Sequence, residues 1–375
     1  MITVLSYYER ISLFHTMLPF LLKNKEKKIF HFTQSANWCL KNDKNKILFI
    51  ERNFQYREPR DLEESEIDLL KKLRDKYKTI VFFCGQPEAG TNRLDILPFV
   101  DRLFYKSIFS DPRDYQKKLY GKNLFADYYH ANYGVTDNPV YINKGYISSE
   151  DAKRPELSWN IGLGTYPRLN WPQRLGTILA RANMPNLGQL IGGKPLSLAC
   201  LPGSVSHKKI KNNSCSKRVI SIHARIPKVT CPSIAYQRTL FNKYISELPN
   251  EKKNIFLTGT APQNQYYKEL NLSKMVLSPF GWGEVCFRDF EAIIFGALVI
   301  KPDMSHLITW PNVYVPNETY IPIKWDGSDL LEKCEFYLDN ENERQKIASN
   351  AFEQYKNELS LLKERTDALL GEYYL

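Results

Sequence analysis

SPFGWGEVCFRDFEAIIFGALVIKPDMSH, residues 278–306, sets two glycines, an acid and an arginine directly before an apolar-patterned helix that runs at once into a strand. Phe290, Ile293, Ile294 and Ala297 recur at i, i+3, i+4 and i+7, the stripe of a helix packed on a sheet. Glu284, Arg288 and Glu291 recur at i, i+4 and i+7 on another face, so a helix starting near Glu284 lines them along one edge. Gly281 and Gly283 keep Cβ atoms out of the preceding turn and let a ligand approach the backbone. Free N–H groups at the helix start then form an anion site suited to phosphates. The bland alternative is an ion pair of Arg288 with Glu284 or Glu291 on a solvated face, worth only about 0.2–0.5 kcal/mol. The flanking strands favour the site, because open α/β sheets bind ligands at the carboxyl ends of their strands.

Outward from this stretch the same rhythm continues. RVISIHAR (218–225), NIFLTGT (254–260), MVLSPFGWG (275–283) and ALVIKP (297–302) read as strands. SIAYQRTLFNKYISEL (233–248), PQNQYYKEL (262–270) and EVCFRDFEAIIFGA (284–297) read as the helices between them. Such alternation predicts a parallel sheet covered on both faces, a Rossmann-like unit. The first half repeats the habit with ITVLS (2–6), KILFIE (46–51) and TIVFFCG (79–85) as strands and DLEESEIDLLKKLRDKY (61–77) as an amphipathic helix. From about 86 to 200 the pattern is loop-rich, and 128–146 is its least regular part. The expected division is a Rossmann-like unit over 1–200, a polar basic linker over 201–217, a second Rossmann-like unit over 218–340, and a terminal helix over 341–375 able to cross back to the first unit.

Composition narrows the class. The chain has 375 residues, 43% hydrophobic and 13% aromatic, enough for two globular cores. Its net charge of +11 favours an anionic partner such as a nucleic acid, an acidic membrane or a phosphorylated substrate. Seven dispersed cysteines without a C-x-x-C pair point to buried thiols in a reducing cytosol rather than a disulfide framework or a structural zinc site. No run approaches the ~18–20 apolar residues of a membrane span, and the start lacks a signal-peptide pattern. LFHTMLPFLLKNKEKK (13–28) can rest on an anionic membrane surface, giving a cytoplasmic chain with peripheral inner-face contact, or can be a core segment followed by solvated lysines. The six histidines are isolated, and neither H-E-x-x-H, a phosphate-loop motif nor G-x-S-x-G occurs, so no metal and no cofactor are expected.

The pattern S-P-F-G-W-G-E-x-x-x-R-D-F-E-A-I-x-x-G-A-L-V-I-K-P resembles the donor-binding segment of GT-B glycosyltransferases, in particular exostosin-like and bacterial polysaccharide enzymes. The resemblance covers about 30 residues closely and the C-terminal half more loosely. It implies an α/β GT-B fold with the acceptor side in the first unit and a nucleotide-sugar donor, a substrate rather than a cofactor, in the second. It also implies a glycan or lipid-linked glycan acceptor, metal-independent sugar transfer in lipopolysaccharide or capsule assembly, and a ribose contact from Glu291. One departure concerns Glu284: many retaining GT-B enzymes separate two glutamates by seven residues, whereas six lie between Glu284 and Glu291 and the expected position holds Gly283.

Other groups follow from placement. His223, Arg225 and Lys228 leave the first strand of the second unit where basic side chains can offset a phosphate leaving group. A general base is sought in the first unit, with Asp95 of GQPEAGTNRLD (85–95) first and His130 of ADYYHANYGVTD (126–137) second. Two rival classes stand beside the transferase. A nucleic-acid-binding protein fits the charge but not the scattered basic residues or the missing RRM, OB and helix-turn-helix signatures, so no nucleic-acid partner is expected. A glycan-binding protein without catalysis is the other.

Overall fold

The computed structural model describes residues 1–6, 16–51, 62–86, 96–121, 123–146, 148–163, 217–227, 231–371 and 373. Within the first 163 residues the strands are β1 (Ile2–Ser6), β2 (Phe30–Thr33), β3 (Ile47–Glu51), β4 (Thr79–Cys84), β5 (Arg102–Tyr105), β6 (Ser107–Phe109), β7 (Leu119–Tyr120), β8 (Ile142–Asn143) and β9 (Pro155–Leu157). Six of them form a parallel sheet in the order β2-β1-β3-β4-β5-β9. After residue 217 come β10 (Ile220–His223), β11 (Phe256–Leu257), β12 (Ser273–Leu277), β13 (Leu298–Pro302), β14 (Leu307–Thr309) and β15 (Ile321–Ile323). Their parallel sheet runs β11-β10-β12-β13-β15. These are two α/β units, each built on a parallel Rossmann-like sheet, as the strand and helix rhythm predicts.

Near-continuous apolar strands are what a sheet covered on both faces requires. All five residues of β1 are buried. In β12 the side chains alternate, Met275 and Leu277 joining Ile222 and Ile300 on one face while Val276 joins Ile293 and Val299 on the other. The first unit is rich in rings: Phe20 meets Phe49, Phe83 and Trp159 at 5.2–5.5 Å between centroids. Leu18 and Phe20 of the 13–28 patch are spent in this core, so those side chains are not available to a lipid surface. Among the described residues no helix is long and apolar enough to cross a membrane.

Two devices join the units. β14 of the second pairs antiparallel with β6 of the first, Ile308 opposite Ile108. The tail then divides its packing. The sequence pattern predicts one helix over 341–370, but the structure has two, Glu341–Ser360 and Leu362–Gly371. Leu361 breaks them, its N–H reaching back to Glu358 O at 3.1 Å, a tightened final turn with neither glycine nor proline to announce it. The break lets Tyr355 pack on Phe290 at 5.2 Å, while Leu362 and Leu370 turn to the Phe20 side of the first unit. Lys23 and Asp367 pair there at 2.5 Å.

Residues 128–146, irregular by sequence, open with a helix, Leu124–Tyr133, closed by Gly134 in the left-handed region (φ +66°). This helix packs on the second unit. The Tyr129 hydroxyl donates to Trp325 O at 2.5 Å and accepts from Gln237 Nε2 at 2.6 Å, and Phe125 lies 5.1 Å from Phe280.

Candidate active site

Both parallel sheets start in the order second, first, third, so connections depart in opposite directions at one pair of neighbouring strands. In open α/β sheets the crevice at the carboxyl ends of such a pair takes the ligand. In the second unit that pair is β10 and β12, whose exits are residues 224–227 and the turn 278–286.

Two arginines stitch these exits together. Arg288 donates from one terminal nitrogen to Leu277 O at 3.3 Å and from the other to Arg225 O, spanning both strand ends. Arg238, on the helix Pro232–Glu247, donates from Nε to Phe280 O at 2.7 Å and from its terminal nitrogen to Pro227 O at 3.3 Å. Burial lowers the Arg238 pKa, and the nearby Arg288 charge adds to that. A guanidinium has five donors, so each arginine keeps N–H groups beyond those used on carbonyls. Arg238 carries no local motif; only its bond across 42 residues reveals it.

The turn itself is pinned from below. Asp289 and Lys301 are both fully buried, with Lys301 Nζ 3.1 Å from Asp289 Oδ2. Asp289 also accepts from Cys286 N at 2.9 Å, from the Tyr314 hydroxyl at 2.7 Å and from Ser278 Oγ. Lys301 Nζ donates in addition to Ser278 O at 3.3 Å and lies 5.3 Å from the centre of the Phe280 ring. Both ends of the turn, Ser278 and Cys286, are thereby fastened to one carboxylate. At Gly281 a Cβ would stand 3.0 Å from an Arg238 nitrogen and 3.3 Å from Cys286 Sγ, and Gly281 N closes on Gly283 O at 2.9 Å. Trp282, between these buried glycines, is 55% exposed.

The remaining expected residues part company. The helix runs Phe287–Ile294, capped by the Cys286 N–H to Asp289 bond, so Glu284 lies in the turn rather than on a helix edge with Arg288 and Glu291. The alternative pairing fails as well: Arg288 bonds to carbonyls and forms no ion pair with Glu284 or Glu291 among the described residues. Glu291 is held by two hydroxyls, Tyr266 at 2.9 Å and Tyr267 at 3.2 Å, and burial raises its pKa. Arg225 is committed to Glu269 in a bidentate pair at 2.6 and 2.7 Å and to Thr258 O at 2.7 Å, so its charge is offset within the protein. His223 at the end of β10 is fully buried, which, with the Arg288 charge, lowers its pKa to about 4. It is therefore neutral at pH 7 and supplies no charge to a phosphate, a correction to its expected role. Its Nε2 lies 3.3 Å from Glu269 Oε2, out of hydrogen-bond alignment.

Lys228 and Asp95 lie outside the described residues. His130 Nδ1 donates to Val135 O at 2.8 Å, and its ring stacks on Tyr120 at 3.8 Å. Asp137 accepts from Ser233 N at 2.8 Å, capping the helix Pro232–Glu247 across the chain. Glu284 is buried, and among the described residues neither of its oxygens and neither ring nitrogen of His306 has a hydrogen bond, His306 Nε2 standing 3.8 Å from Glu284 Oε1. Among the described residues no cluster of His, Cys, Asp and Glu could hold a metal ion.

Residues 228–371 match the model of a glycosyl transferase-like family. The match takes in the turn 278–286 and the helix Phe287–Ile294. No curated protein matches the chain. Solved structures similar to it include Anabaena HepE in complex with UDP-glucose, at 8% identity, TM-score 0.45 and 99% coverage of each chain. A DNA-modifying beta-glucosyltransferase is similar at 9% identity and TM-score 0.44, covering 100% of this chain and 99% of that one. An alpha,alpha-trehalose-phosphate synthase from Burkholderia vietnamiensis follows at 10% identity and TM-score 0.38, covering 88% and 75%.

Removing one member of the buried pair should be costly. Lys301→Met is expected to lower unfolding free energy by about 3–5 kcal/mol, because Asp289 is left without its cation, and Asp289→Asn in the same chain should restore part of the loss. Urea denaturation of the single and double variants checks this; additive losses would show that the two groups act independently.

Acid should weaken the fold in two overlapping windows. The folded-state pKa of His223, about 4, lies below its ordinary 6.5, so the unfolded chain takes up the proton first and stability falls from pH 6.5 down to about 4. The Arg225 pair holds Glu269 at about 2 against an ordinary 4.5, so that contribution is complete above 4.5 and is lost as pH falls to about 2. Denaturant midpoints from pH 7 to pH 3 should show both, and His223→Gln should flatten the upper window only. A variant profile parallel to wild type through that window would refute the assignment.

Proposed function

We propose that the chain is a glycosyltransferase that binds a nucleotide-sugar donor at the carboxyl ends of β10 and β12 and transfers its sugar to a glycan hydroxyl. The observation that carries this reading is the pair of arginines, Arg238 and Arg288, bridging the two strand exits beside the start of the helix Phe287–Ile294. Two guanidiniums and a helix start suit a diphosphate. Gly281 and Gly283 would let the phosphates approach the turn, and Glu291, held by Tyr266 and Tyr267, would accept the ribose hydroxyls with its remaining lone pairs. As the bond between sugar and phosphate breaks, the growing charge on the departing phosphate is met by donors already in place. UDP-glucose, the ligand in the HepE structure, is the natural first probe. The finer reading, a glycan or lipid-linked glycan acceptor in lipopolysaccharide or capsule assembly, rests on the resemblance of residues 278–302 to bacterial polysaccharide enzymes.

Glu291→Ala is expected to weaken nucleotide binding ~10- to 100-fold, since a hydrogen bond to a charged group contributes about 1.5–3 kcal/mol. Calorimetry with UDP and the other nucleoside diphosphates tests this, and unchanged affinity in a variant that melts normally removes Glu291 from the site. Because arginines are assigned the phosphate charge, turnover should survive EDTA. Activity abolished by the chelator and restored by magnesium or manganese would overturn the metal-free part of the reading.

A further inference from the structure

Buried carboxylates almost always have partners, and one without any stands out as a group whose partner is a ligand. Glu284 is such a group: it is fully buried, and among the described residues neither oxygen has a hydrogen bond. Beside it His306, its side chain 12% exposed, has two buried ring nitrogens that likewise lack a hydrogen bond among the described residues. The 3.8 Å between Glu284 Oε1 and His306 Nε2 is too long for a hydrogen bond, yet one oxygen placed between them reaches both at about 2.7–2.8 Å.

The pair lies where the units meet. Glu284 belongs to the turn that leads into the donor-side helix, and His306 directly precedes β14. The His306 carbonyl accepts from Ser110 N of the first unit at 2.9 Å. Tyr115, also of the first unit, has its hydroxyl pKa raised by burial, with the Glu284 charge a smaller contribution. The ring of His306 is walled by Trp325 at 5.1 Å and Phe280 at 6.4 Å. The carboxylate and the imidazole thus face each other, closed off from solvent, at the seam between the units and beside the turn of the proposed donor site.

We propose that Glu284 and His306 form the acid–base pair that takes the proton of the acceptor hydroxyl, an inference that rests on the transferase reading above. In the step, the acceptor O–H proton passes to Glu284 while its oxygen forms the bond to the anomeric carbon. The bond from that carbon to the donor phosphate oxygen breaks, and its electron pair leaves with the nucleoside diphosphate. His306 holds the hydroxyl from the other side, and the proton stays on Glu284 until the product leaves. Base catalysis of this kind is worth ~100- to 10,000-fold in rate. This places the base in the second unit, away from Asp95 and His130.

The test uses the full chain, a panel of nucleotide sugars headed by UDP-glucose, and water as the acceptor, with released nucleoside diphosphate as the readout. Glu284→Gln is expected to cut kcat at least ~100-fold while the Kd for UDP stays within ~3-fold of wild type. Its Tm should not fall, because a neutral amide is easier to bury unpaired than a carboxylate. His306→Gln should reduce kcat by about 10-fold or more with the same UDP affinity. A Glu284→Gln enzyme that turns over within ~3-fold of wild type overturns the proposal. So does one that fails to fold or melts well below wild type, since the carboxylate would then be structural. Wild-type protein that binds UDP yet releases no diphosphate from any sugar nucleotide overturns the transferase reading itself, and with it this pair.

Discussion

A buried ion pair, Asp289 with Lys301, sits under the turn 278–286, and the position of the candidate site depends on it. Two full charges removed from water cost several kcal/mol each, and only a well-formed pair with further hydrogen bonds recovers this. Asp289 meets that condition through Cys286 N, Ser278 Oγ and the Tyr314 hydroxyl. Because two of these three donors are the ends of the turn, the electrostatic demand of the core becomes a geometric constraint on the loop above it. Gly281, the exposed Trp282 and the buried Glu284 are then carried on a fixed base.

The same economy governs the switch point. Arg288 and Arg238 satisfy backbone carbonyls at the exits of β10 and β12, groups that a parallel sheet leaves without ladder partners. Both do so without an ion pair among the described residues, whereas Arg225 one loop away is drawn into Glu269. Whether an arginine's charge is offset within the protein is thus decided by whether a carboxylate lies within reach of it.

The units are coupled by ordinary packing rather than by a hinge alone. β6 and β14 form one small sheet from both halves of the chain, and the tail lays one helix on each unit. His306 directly precedes β14, so the Glu284–His306 gap adjoins the strand that joins the units.

By itself the sequence determined the two Rossmann-like units and the turn and helix at 278–294, because these rest on local periodicity and on residues adjacent along the chain. Hydrophobic period, glycine placement and strand ends are all legible within about ten residues. Only the tertiary structure decided the rest. It moved the helix start to Phe287, since Asp289 caps Cys286, and it neutralised His223 by burial and Arg225 by Glu269. It also brought in Arg238 across 42 residues and set His306 beside Glu284. Charge, protonation and partnership are fixed by what surrounds a side chain in three dimensions, and residues far apart in the chain provide those surroundings.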